Sequence, residues 1–150
     1  QSTPTEEQIF QTLSSEYSAL DGYSNRIVSC VDDFNSWYIA RDMNKRQASQ
    51  ATAEKVKSDL EAAKAEIESL KISNSSPYAT DAANLIELYD CQIGRITSLT
   101  DAWAVSVQYE VPSEHQDEIL AALSASYVGG NNPYLERYDE LYPSAKPVLK

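Results

Sequence analysis

Residues 9–38 carry three neighbouring columns of side chains at seven-residue spacing: Leu13, Leu20, Ile27 and Phe34; Phe10, Tyr17, Ser24, Val31 and Tyr38; Ile9, Glu16, Tyr23, Cys30 and Trp37. On an α-helix these columns lie side by side and form one broad apolar face. A two-stranded coiled coil needs only a narrow seam, so a face this wide requires two or more partner helices. The segment therefore reads as the central helix of a bundle.

The remaining chain supplies the partners. Thr3, Pro4 and Glu6 form a capping signal for helix 1, which is expected to run to about Asn44. Helix 2 is expected over 47–71, with a narrow stripe of Ala48, Val56, Leu60, Ala63, Ile67 and Leu70, and with Lys57/Glu61 and Lys64/Glu68 as i,i+4 pairs. No Gly or Pro separates helices 1 and 2, so one continuous helix is the alternative. Ser76-Pro77 signals the start of helix 3, whose columns are Tyr78, Leu85, Gln92, Leu99 and Ala82, Tyr89, Ile96, Trp103. Val111-Pro112 ends it. Ser113 with Gln116 predicts a cap for helix 4, Gly129-Gly130 a stop, and Asn132-Pro133 the start of a short fifth helix. The fold class is thus all-α: an up-down-up bundle of three long helices, with a shorter fourth and a short C-terminal fifth packed alongside. Residues 1–5 read as a linker, 6–142 as the bundle and 143–150 as a tail.

Charge narrows the partners. With 23 acidic and 12 basic residues the net charge is −11, a field that opposes nucleic acid and anionic lipid. No stretch approaches the roughly 18 apolar residues of a transmembrane helix. The polar start Gln1-Ser2-Thr3-Pro4-Thr5 has no Met and resembles the linker left by a removed signal or lipid anchor; an artificial boundary would read the same. Together with the cysteines this sets the expectation of an extracytoplasmic protein, secreted or anchored at the cell surface.

Two cysteines are too few for a disulfide scaffold or a cysteine zinc site. Threading helix 3 parallel to helix 1 brings Cys91 to about the level of residue 34, some 6 Å from Cys30 at 1.5 Å per residue, which predicts a Cys30–Cys91 disulfide. The helical wheel counts against it, since Cys91 lies off the centre of its own apolar face. Two buried free thiols are the alternative.

Catalytic patterns are sparse. His115 is the only histidine, and Glu114, His115 and Glu118 lack the paired Glu-x-x-His motifs of a di-iron bundle. Asp32-Asp33 has no companion ligands at EF-hand spacing, and no phosphate-binding glycine loop occurs. No metal and no cofactor is expected. Ten Tyr and two Trp are the more informative residues. Trp37, Tyr38, Trp103, Tyr134, Tyr138 and Tyr142 are candidates for a contact surface or ligand pocket, against core packing as the plain reading. Glu16, Ser24 and Gln92 interrupt apolar columns and mark either a face meeting solvent or an internal polar cavity. The expected function is a non-enzymatic binding or interaction module whose partner is a protein or glycan; the alternative is a carrier or sensor holding a small apolar ligand between helices.

Overall fold

The computed structural model describes residues 2–150, and among them the fold is all-α. Helix α1 spans Glu6–Trp37, α2 Met43–Glu68, α3 Ala79–Ser106, α4 Gln116–Leu123 and α5 Pro133–Leu141, with single 3-10 turns at Pro112–His115 and Tyr142–Ser144. The helix ends follow capping chemistry more finely than the apolar pattern does. The N-cap of α1 is Thr5, not Thr3: its hydroxyl accepts from the Gln8 N–H at 3.1 Å, and its own N–H donates to Gln8 Oε1 at 2.8 Å. The chain carries the capping-box spacing twice, at Thr3/Glu6 and Thr5/Gln8, and the second copy is the one used. Gly22 lies within α1 without a break, and a Cβ there would meet nothing within 4 Å.

Helix α1 stops at Trp37, seven residues short of Asn44, because Asp42 starts the next helix. Its carboxylate accepts from the Lys45 N–H at 3.0 Å. The continuous-helix alternative is thereby removed. Helix α3 begins at Ala79, two residues after Pro77; Ser76 Oγ accepts from the Tyr78 N–H at 3.1 Å, so the serine orders the approach to the helix. Asn132 caps α5 as expected, accepting from Tyr134 and Leu135 N–H, with Pro133 at the first helical position. At α4 the expected Ser113 box is replaced by the 3-10 turn, and no side chain caps the helix.

Side-chain contacts fix the register. Helix α2 runs against α1 through Arg26–Asp59 at 2.9 Å and Lys45–Asp33 at 3.0 Å. It runs against α3 through Lys64–Asp90 at 2.7 Å, which takes Lys64 away from the expected pair with Glu68. Helices α1 and α3 are parallel: Phe10 meets Tyr78, Gln92 Nε2 donates to Ser24 Oγ at 2.8 Å, and Ser106 Oγ donates to the Tyr38 carbonyl at 2.7 Å. All three pairs are separated by 68 residues in sequence, so the two helices stay level along their length. This is the up-down-up core.

The centre of that core is α3 rather than α1. Helix α3 buries 13 of its 28 residues, including Leu85, Leu88, Tyr89, Ile96, Ala102 and Trp103, whereas α1 buries six of 32. The inner column Leu13, Leu20, Ile27 and Phe34 of α1 is almost wholly buried. The flanking columns are not, and Val31 and Trp37 are each 37% exposed. Helix α3 also buries Ser98, Thr100 and Ser106. Thr100 and Ser98 return their hydroxyls to carbonyls of their own helix, Thr97 and Gly94, at 3.0 and 3.4 Å, which makes burial tolerable.

A fourth layer, opposite α2, is shared by α4, α5 and the tail. The turn between α4 and α5 holds Gly129 (φ 60°) and Gly130 (φ 82°), both in the left-handed region that favours glycine. Tyr17 and Tyr142 stack with centroids 5.0 Å apart, and Tyr17 Oη donates to the Tyr142 carbonyl at 2.7 Å. Arg137 pairs with Glu87 through two N–H groups at 2.5 and 3.1 Å. Residues 143–150 are more than a loose tail: Ala145 and Pro147 are buried, and the Lys150 N–H donates to Tyr78 Oη at 3.0 Å.

At the upper end of the bundle Arg46 is completely buried. Its guanidinium donates to the Ser106 carbonyl and, at 2.9 Å, to the Tyr109 carbonyl, closing the C-terminal end of α3 where unpaired carbonyls concentrate partial negative charge. The sequence pattern places Arg46 near the C-terminus of helix 1; in the fold it stands on the first turn of α2 and serves α3.

Candidate functional site

The six aromatic candidates do not form one surface. Trp103 is 1% exposed and meets Phe34 edge-on, with ring centroids 5.1 Å apart, so it belongs to the core. Tyr38 is half-buried, stacks on Phe34 at 4.7 Å and accepts from Gln116 Nε2. Trp37 is partly exposed, with Lys45 Nζ 5.5 Å from its ring centre. On α5, Tyr138 is buried, and Tyr142 is held between Tyr17 and Tyr138 with its hydroxyl donating to Asp21 at 2.7 Å. Tyr134 lies flat over Gly94, where a Cβ would stand 2.5 Å from the ring. Tyr134 and Tyr138 on α5 and Tyr142 just after it, spaced four residues apart, thus form one packing face, while Trp37 and Trp103 stand at the other end of the bundle.

The cysteines correct the expected disulfide. Both are free and buried. With α1 and α3 offset by 68 residues, Cys91 is level with Tyr23, and Cys30 lies seven residues higher, about 10 Å along the axis. A disulfide requires Cα atoms within about 7 Å. The early end of α1 causes the shift, since it lets α2 descend further before α3 begins. The azimuths diverge too: Cys30 borders the α1–α2 groove, and Cys91 lies near Glu87 and Arg137 on the α5 side. Burial pushes both thiols up, Cys91 to about 11, so neither is an activated nucleophile. A reducing agent is expected to leave the melting temperature unchanged, and both thiols should react with a maleimide only after denaturation. A single protected pair in the denatured, unreduced protein would contradict this.

Of the surface concavities, two have the most apolar linings. The larger, about 740 Å³, is an open groove between α1 and α2 lined by Cys30, Ala48, Ser49, Ala51 and Val56 among others. Its cations are already committed, Arg26 and Lys55 to Asp59 and Lys45 to Asp33. The smaller, about 260 Å³, is a crevice where the fourth layer parts. Ile27, Val28, Val31 and Phe34 of α1, Leu99 of α3, Leu123 and Tyr127 beside α4, and Leu135 of α5 form its walls. Val28, Val31 and Leu135 remain 50%, 37% and 38% exposed around it.

One side of this crevice is polar. Arg95 lines it and donates from Nη1 to Gln92 Oε1 at 2.9 Å, and Gln92, fully buried, donates to Ser24. Of the three residues interrupting apolar columns, Ser24 and Gln92 therefore make an internal polar network. Desolvation by burial lowers the Arg95 pKa, with Asp139 the strongest opposing charge. Arg95 forms no ion pair among the described residues. Nearby, the buried Tyr138 hydroxyl faces Ser24, and burial raises its pKa. This site was hidden in the sequence because Arg95 lies off the apolar columns of α3, and only the packing of α4 and α5 encloses it.

Glu16 occupies a different place, between Tyr23, Tyr89 and Glu66, with Oε2 buried and unpaired. Burial, then the Glu66 charge, raises its pKa. A raised carboxyl pKa in the folded state means that the native protein holds this proton more tightly than the unfolded chain. The contribution is fully present below the usual carboxylate pKa and is lost as pH rises through the folded value. Glu16→Gln is therefore expected to stabilise the protein at pH 7, with the gain shrinking to nothing near pH 4; urea unfolding across that range reads it. A gain independent of pH would refute this account.

His115 stacks on Tyr109, with centroids 3.5 Å apart. Among the described residues no group of three or more His, Cys, Asp or Glu side chains is placed to hold a metal ion, and no helix is long and apolar enough to cross a membrane. Comparison with protein-family models, with curated proteins and with solved structures finds no match.

Proposed function

We propose that this protein is a non-enzymatic binding module that takes the apolar part of a small ligand into the crevice between α1, α3, α4 and α5. The observation that carries this reading is the convergence of Val28, Val31 and Leu135, all substantially exposed, on one concavity of about 260 Å³. Singly exposed apolar residues are ordinary on a protein surface, but several around one concave site with a few polar groups are the usual form of a ligand pocket. The groups whose titration is most displaced fit a non-catalytic reading, since burial raises the pKa of Tyr89 and Cys91 and the hydrogen bond to Asp21 raises that of Tyr142.

Titration with 1-octanol, followed by methyl chemical shifts, tests it. Saturable changes are expected at Val28, Val31, Leu99, Leu123 and Leu135, and Leu135→Arg should abolish them. Absence of saturable change at these methyls would overturn the proposal.

A further inference from the structure

The geometry points to a small monocarboxylate with an apolar body as the ligand class of the α1–α3–α4–α5 crevice, held by Arg95; this rests on the binding-module reading above. The apolar walls and the guanidinium belong to the same concavity, so a ligand filling it meets both. Arg95 uses one N–H on Gln92 and makes no other hydrogen bond within the protein among the described residues. A guanidinium has five N–H donors in a planar fork that matches the two oxygens of a carboxylate. Gln92 is fixed in turn by Ser24, so one edge of the fork is already oriented before binding, which lowers the ordering cost.

Size and charge narrow the class. A volume of about 260 Å³ falls just below the roughly 300–1,000 Å³ typical of ligand pockets, which admits a short alkyl or single-ring acid and not a long acyl chain. The net charge of −11 and the Asp139 charge near Arg95 work against a dianion such as a phosphate monoester. They weigh less against a single carboxylate in direct contact with Arg95, because contact pairs in a partly buried site are screened far less than distant surface charges.

Octanoate and 1-octanol separate this inference from the reading beneath it, since they share one apolar body and differ in the head. Calorimetric titration of the full chain should show octanoate binding on the order of tenfold tighter than 1-octanol, as a charge-assisted bidentate contact would give. Arg95→Gln should bring the two within about threefold. In the native protein the Arg95 side-chain N–H resonance should shift with octanoate and not with 1-octanol, a readout that holds even if the variant folds poorly. If both ligands bind equally, the crevice reading stands and the carboxylate assignment falls. If octanoate is preferred but the Arg95 resonance stays still, Arg95 is not the anchor and the inference is overturned. If neither binds, the binding-module reading itself has failed.

Discussion

Arg46→Ala is expected to lower stability by about 3–5 kcal/mol, the scale at which a buried charged group and its hydrogen bonds are lost together. Arg46 is fully buried and bonds the Ser106 and Tyr109 carbonyls at the end of α3. Ser106 ends α3 and its carbonyl also takes the Tyr109 N–H at 3.2 Å, whereas the Tyr109 carbonyl, three residues past the helix, relies on the guanidinium. The Ser106 hydroxyl lies 3.4 Å from the same guanidinium nitrogen and donates to the Tyr38 carbonyl, so the end of α1 is tied to the same knot. Arg46→Met preserves most of the volume and should recover the packing part of the loss but none of the carbonyl pairing. Urea unfolding with an unchanged m value would read both variants. A loss below about 1 kcal/mol for Arg46→Ala would show that water replaces the guanidinium without cost.

Trp103→Ala should be of comparable size, about 3–5 kcal/mol, or on the order of 10 °C in melting temperature for a domain of this length. The indole is 1% exposed and its edge meets Phe34, which stacks on Tyr38. Removing it opens space between α1 and α3 that neither rigid helix can collapse to fill. Trp103→Phe should cost much less, and the variant should fluoresce only from the partly exposed Trp37, with red-shifted emission. A small effect of Trp103→Ala would mean that α3 is not the packing centre.

The helices and their broad faces were legible from heptad columns, because burial of apolar residues every three to four positions is what a bundle must do. Their ends were less so. Asp42 carries the break between α1 and α2, and a single capping carboxylate leaves no periodic trace. That one boundary displaced the register of α3 and made Cys30 and Cys91 look like neighbours. The centre lies in α3 rather than α1 for a reason apolar columns do not carry: Gln92, Ser98, Thr100 and Ser106 are polar and are buried. Hydroxyls that bond back to their own helix, and an amide that finds Ser24, escape any count of apolar positions. The crevice was the least legible feature. Its walls come from distant parts of the chain, and its arginine is ordinary until α4 and α5 close over it.

The stack of Tyr17 on Tyr142 joins residues 125 positions apart, the longest hydrogen-bonded link named above. It ties the C-terminal end of α5 back to α1, while Arg137 and Glu87 tie α5 to α3, so the fourth layer is fastened to both parallel helices. The same fastening holds Leu135 in the crevice wall, so the shape of the crevice depends on contacts made at the far end of α5.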